Sequence, residues 1–108
     1  MMWDVFYTDS ANLDLQSIYS YISDVLLEPK TAEKQTDRIM DAADALNHMP
    51  LRHRLCDHEP WRTMGLRVMP VDNYLVFYLP DEVSKAVSIM RVIFGGRDIA
   101  SDLGVPDD

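Results

Sequence analysis

Three short segments in the second half of the chain, residues 65–71, 73–79 and 86–94, are rich in Val, Ile, Tyr and Phe and are punctuated by the turn-formers Asp72-Asn73 and Pro80-Asp81-Glu82. Closely spaced β-favouring runs of this kind predict an antiparallel meander. A sheet buries a face only if something covers it, so the rest of the chain has to supply the cover.

The first half supplies it. From residue 11 to about 27 the apolar residues Leu15, Ile18, Tyr19, Ile22, Val25 and Leu26 recur at three- and four-residue spacing, the mark of an amphipathic helix, with Asp14, Gln16 and Asp24 on its polar face. Glu28-Pro29-Lys30 breaks this run, because proline disfavours helical backbone in the residue before it yet tolerates the start of a new helix. A second helix from about residue 31 to 48 presents Ala32, Ile39, Ala43 and Leu46 along one stripe, and Pro50 fixes its end. Ahead of both, residues 2–8 read as a strand that stops at Asp9-Ser10, a pair suited to capping the first helix. The expected architecture is α+β: an N-terminal strand and a helical hairpin packed on a four-stranded, mostly antiparallel sheet, with a short C-terminal helix or tail. At 108 residues this makes one domain, residues 1–108.

The formal net charge of −8 argues against a chain that grips phosphates, but the charge is unevenly spread. Residues 1–49 carry −6, residues 50–97 carry +2 and residues 98–108 carry −4, and Arg52, Arg54, Arg62 and Arg67 crowd into the middle block beside His53 and His58. An anion, if one binds, belongs to this half. Met1-Met2-Trp3-Asp4 opens without a basic stretch and an apolar run, no segment approaches a bilayer span, and the lone Cys56 cannot form an internal disulfide, so a cytoplasmic location is expected. His48, His53, His58 and Cys56 lack the paired spacing of a zinc site, so neither metal nor cofactor is expected.

Residues 50–63 have neither period and mix Pro, His and Arg with a lone Trp61, which suggests an exposed connection carrying specific chemistry. Trp61-Arg62 reads either as a stacking platform beside a phosphate contact or as an anchor that pins the loop to the core. Tyr74 and Tyr78 alternate with Leu75, Phe77 and Leu79, which fits a strand whose tyrosines line the face away from the helices.

Several runs together resemble the RelE/ParE superfamily of toxins. They are Ser10-Ala11, Asp14-Leu15, Ile18 and Tyr21-Ile22, then Leu46 with Pro50, then Gly65-Leu66-Arg67-Val68, residues 73–78 and residues 89–98. The resemblance spans about residues 3–103. It implies the toxin of a type II toxin–antitoxin system, silenced by a cognate antitoxin protein and aimed either at ribosome-associated mRNA or at DNA gyrase. With such a partner, the alternation that puts Tyr74 and Tyr78 on the face away from the helices makes them the expected floor of the antitoxin groove.

Arg67, Arg91 and Arg97 are the candidate catalytic residues, since arginine offers a permanent charge and a planar fork of donors suited to phosphate or carboxylate. In the nuclease branch of the superfamily, arginines at the matching strand positions contact the scissile phosphate. Arg91 alternates with Ile89 and Ile93 on an apolar face, which suits a buried structural ion pair as well as a functional role, Arg97 follows Gly95-Gly96 at the end of the sheet, and Arg67 sits mid-strand, where it either occupies the open face or guards an edge. RNA cleavage also needs groups that move protons. Many superfamily members have a histidine where Phe94 stands and several have a tyrosine near Leu103, and neither substitute can carry a proton. His53, His58 and Glu59 are the residues that could compensate. Three readings stay open: an mRNA endonuclease, a gyrase inhibitor without chemistry, and an inactive antitoxin-binding module.

Overall fold

The computed structural model describes residues 2–106. Strand β1 (Asp4–Tyr7) leads into helix α1 (Asp9–Ser20), which runs on through a π-helical turn at Tyr21–Val25. Helix α2 (Pro29–Asp44) returns, followed by 3-10 turns at Ala45–Asn47 and Pro50–Arg52 and a one-turn helix α3 (Trp61–Met64). Strands β2 (Arg67–Val71), β3 (Tyr74–Asp81) and β4 (Ala86–Phe94) form the meander, and helix α4 (Ile99–Leu103) follows. The sheet order is β1-β4-β3-β2, with β1 parallel to β4 and the other pairs antiparallel. The expected α+β architecture is present, including the short C-terminal helix. No helix of the described residues is long and apolar enough to cross a membrane.

The hairpin breaks where proline and sterics require. Pro29 takes the first turn of α2, where a missing N–H costs nothing, and Leu27 turns the chain with φ 57. The expected stripe Ala32, Ile39, Ala43 and Leu46 is fully buried. Two details differ. The cap of α1 is Thr8, whose hydroxyl accepts from the Ala11 N–H (3.1 Å), with Asp9 already in the first turn. Of the apolar set read for the first helix, Tyr19 is exposed within α1 itself, and Val25 and Leu26 are exposed where the π turn rotates them away from the stripe that buries Leu15 and Ile22. Strand β3 also outruns the turn expected at Pro80-Asp81: β2 stops pairing at Tyr78, so the absent N–H of Pro80 faces no partner, and Asp81 folds the turn by accepting from the Val83 and Ser84 N–H groups.

Two apolar layers flank the sheet. The helix side gathers Leu15, Ile39, Leu46, Met69, Val71, Val76, Tyr78, Val87, Ile89 and Val92. The opposite side gathers Cys56, Trp61, Leu66, Val68, Phe77, Ile93 and Leu103, so the connecting loop and α4 cover that face. The parity of β4 changes within the strand. Phe77 pairs with Arg91 and Tyr78 with Ile89, which leaves Met90 unopposed as a β-bulge. Ile89 and Val92 therefore face the helices, whereas Arg91 and Ile93 belong to the other side.

Candidate functional site

A cleft of about 750 Å³ opens between the helical hairpin and the end of the β3–β4 ribbon. Ile18, Tyr21, Ile22 and Leu26 form one wall, Tyr74 and Phe94 the other, and Asp14, Arg91, Arg97 and Asp102 the charged part. Topology creates it. Strand β1 pairs with β4 only as far as Tyr7 opposite Ile89, and Thr8 ends the pairing by sending its N–H and hydroxyl to the Ile89 carbonyl (3.1 and 2.9 Å). The rest of the β4 edge faces α1.

Asp14 closes that edge. Its Oδ2 accepts from the Val92 N–H (2.9 Å) and Arg91 Nε (2.7 Å), and its Oδ1 accepts from Arg91 Nη2 (3.0 Å). Arg91 Nη1 donates to the Asp102 carbonyl (2.6 Å), tying α4 to the strand. The hydrogen-bonded Asp14 carboxylate raises the Arg91 pKa above its ordinary value against the opposing effect of burial. The bulge removes Arg91 from the face of Ile89, contrary to simple alternation, and the guanidinium reaches round the strand edge. The helical pattern puts Asp14 on a polar face, yet the structure sets it against the strand edge. Its signal was the 14, 18, 21 spacing, which puts it on one strip of helix with Ile18 and Tyr21.

Arg97 lies near Arg91 in the cleft and is exposed, with Nε 2.9 Å and Nη2 3.2 Å from the two Asp102 oxygens. Phe94 lies across Gly96, where an added Cβ would meet its ring at 2.8 Å, and packs edge-to-face on Tyr74 with centroids 5.8 Å apart. Arg67 is not in the cleft. It shares the helix-side face with Met69 and Val71, opposite to the open face expected, and Nη1 donates to the carbonyls of Leu51 (3.2 Å) and His53 (2.6 Å), strapping the connecting loop.

Tyr78 is also reversed relative to expectation. Tyr74, Val76 and Tyr78 face the helices, while Leu75, Phe77 and Leu79 face the other layer. Tyr78 is 0% exposed and donates to the Pro50 carbonyl (2.5 Å), so it belongs to the core and cannot floor a groove. Trp61 is 8% exposed and its Nε1 donates to the Gly104 carbonyl (3.1 Å), which makes it the anchor between loop and C-terminal segment and closes it to base stacking. Arg62, half exposed beside it, reaches the Cys56 carbonyl (3.4 Å) and Asp57 (3.9 Å).

The proposed compensating proton carriers do not converge with the arginines of the cleft. Glu59 accepts from the Thr63 N–H (2.9 Å) and hydroxyl (3.0 Å), bonds that lower its pKa. Burial, then the Arg52 charge, lowers that of His53, whose ring meets Tyr78 edge-on. Leu103 is buried under the sheet. Among the described residues, no three His, Cys, Asp or Glu side chains gather as metal ligands.

Residues 5–99 match the family model described as the ParE toxin of the type II toxin–antitoxin system, parDE. The chain belongs to the ParE toxin family. It is thus of the kind that forms the toxin component of a type II toxin–antitoxin system. The fold of this ParE-family chain is similar to that of a structure titled as the chromosomal ParDE system of P. aeruginosa, at 22% identity and TM-score 0.70, over 86% of this chain and 96% of that one. It is similar as well to the RelBE2 toxin–antitoxin complex of Mycobacterium tuberculosis, at 21% identity, TM-score 0.63 and 87% and 99% coverage. A third likeness is to the archaeal RelE–RelB complex of Pyrococcus horikoshii OT3, at 18% identity, TM-score 0.53 and 90% and 99% coverage. No curated protein sequence matches it.

Proposed function

We propose that this ParE-family toxin arrests growth by docking on a protein, DNA gyrase, rather than by cutting ribosome-bound mRNA, and that a cognate antitoxin silences it by covering the cleft. The observation that carries the choice is the state of the arginines. Each of the seven already donates to a carboxylate or carbonyl of its own chain: Arg38 to Asp72, Arg54 to Asp57, Arg62 to the Cys56 carbonyl, Arg91 to Asp14, Arg97 to Asp102, and Arg52 and Arg67 to loop carbonyls. At Arg91, whose Nε, Nη1 and Nη2 all donate internally, a phosphate would have to displace an internal partner, and at the others it would compete with one. Phe94 and Leu103, at the positions where the superfamily resemblance implies proton carriers, supply none, which supports the same reading.

The cleft suits a protein partner. Phe94 and Tyr21 are exposed aromatic side chains in its walls, and clefts of this kind with a few polar groups are where ligands and partner segments seat. The test is to add the purified chain to a gyrase supercoiling reaction and to a translating extract. Loss of supercoiling with intact mRNA is expected. Cleaved mRNA with unaffected gyrase would replace this reading with the endonuclease, and growth unaffected by inducing the chain alone would replace it with the inactive antitoxin-binding module.

A further inference from the structure

We propose that Asp14 is an internal anion seated where a phosphate-class oxyanion would otherwise bind, and that it is a specificity-determining residue that keeps nucleic acid off this surface. The inference rests on the protein-docking reading above and deepens it. Three donors converge on one carboxylate: Arg91 Nε at 2.7 Å, Arg91 Nη2 at 3.0 Å and the Val92 N–H at 2.9 Å. A guanidinium fork combined with a main-chain N–H is the donor set that proteins use to hold phosphate oxygens. Helix α1 delivers the carboxylate into this set, and the Asp14 side chain retains 17% exposure, so the seat communicates with the cleft.

The second arginine of the cleft is treated alike. Both Asp102 oxygens lie within 3.2 Å of the Arg97 guanidinium. Two arginines that would attract a polyanion therefore contribute no net positive charge, and the counterion release that drives nucleic-acid binding has no source here. An ion pair that only tied α1 to β4 would show the same contacts, but removing its acid would leave a free side chain, not a vacant anion seat. That difference is measurable.

The experiment titrates inorganic phosphate into the full chain and its variants by calorimetry, with melting temperature as a second readout. Asp14→Ala, which keeps a good helix former and vacates the seat, is expected to bind phosphate at least about tenfold more tightly than the original chain. Asp14→Asn still fills the seat and should gain less. Adding Arg91→Gln to Asp14→Ala should abolish the gain, and a single-stranded RNA oligonucleotide should bind the Asp14→Ala, Asp102→Asn double variant but not the original chain. A folded Asp14→Ala variant with unchanged phosphate affinity, or a gain that survives loss of Arg91, overturns the proposal. If Asp14→Ala unfolds, phosphate should restore its folded signal where chloride of equal ionic strength does not, and failure to do so overturns the proposal as well. Supercoiling inhibition is scored separately, so a failure of the gyrase reading leaves a different trace from a failure of the anion seat.

Discussion

Arg91 shows how much of a site depends on partners that residue type alone does not reveal. Three arginines were legible as candidates, because few side chains suit phosphate or carboxylate so well, but what each one holds depends on residues as much as 77 positions away in sequence, as Asp14 is from Arg91. Arg91→Ala should cost about 1.5–3 kcal/mol, the range for hydrogen bonds to charged groups, read as a shift of the urea midpoint. Tyr78→Phe leaves the Pro50 carbonyl unpaired in the core and should cost about 1–2 kcal/mol without altering growth arrest, since the hydroxyl faces no open surface. Asp72 gives a pH signature. The Arg38 fork, then the Gln35 amide, holds its pKa near 2, below the roughly 3.9 of an unfolded aspartate. The folded chain therefore binds fewer protons between those values. Its contribution is whole above about pH 4 and fades as the pH falls toward 2, so Asp72→Asn should flatten that part of the stability profile, weakly because the pair is exposed.

Elements were read more surely than faces. The helix stripe of Ala32, Ile39, Ala43 and Leu46 survived intact because its period is long enough to average out local irregularity. Alternation in a strand has no such redundancy: it tells which residues share a face but not which face the helices choose. Tyr74 and Tyr78 therefore lie on the helix side where the sequence pattern alone suggests the other, and Arg67 lies there with them instead of on the open face that was one of its two readings. The π turn was equally invisible, since Tyr21–Val25 fits an ordinary helix by composition. At the start of α1, Thr8→Ala should cost about 1–2 kcal/mol by thermal melt, because one hydroxyl both caps the helix and ends the β1–β4 pairing.

At the scale of the molecule, the −8 charge and the neutralised cleft point the same way. A toxin that gripped phosphates would lose affinity steeply as salt rises, whereas one docking by apolar contact should hold its affinity for gyrase nearly constant between ~50 and ~200 mM salt, measurable by surface-immobilised binding. The connectivity behind the cleft is simple: a short β1 leaves half of one edge of β4 without a strand partner, and α1 crosses the gap.

The unopposed Met90 acts on this arrangement like a one-letter insertion in a message written in pairs. Everything before it is read in one phase and everything after it in the other, so Val92 can point inward while Arg91 reaches the cleft. Were the strand to alternate strictly with Met90 kept in step, all later residues would exchange addresses, hiding a charge and exposing the core, whereas deleting Met90 would straighten the strand and leave those addresses as they are.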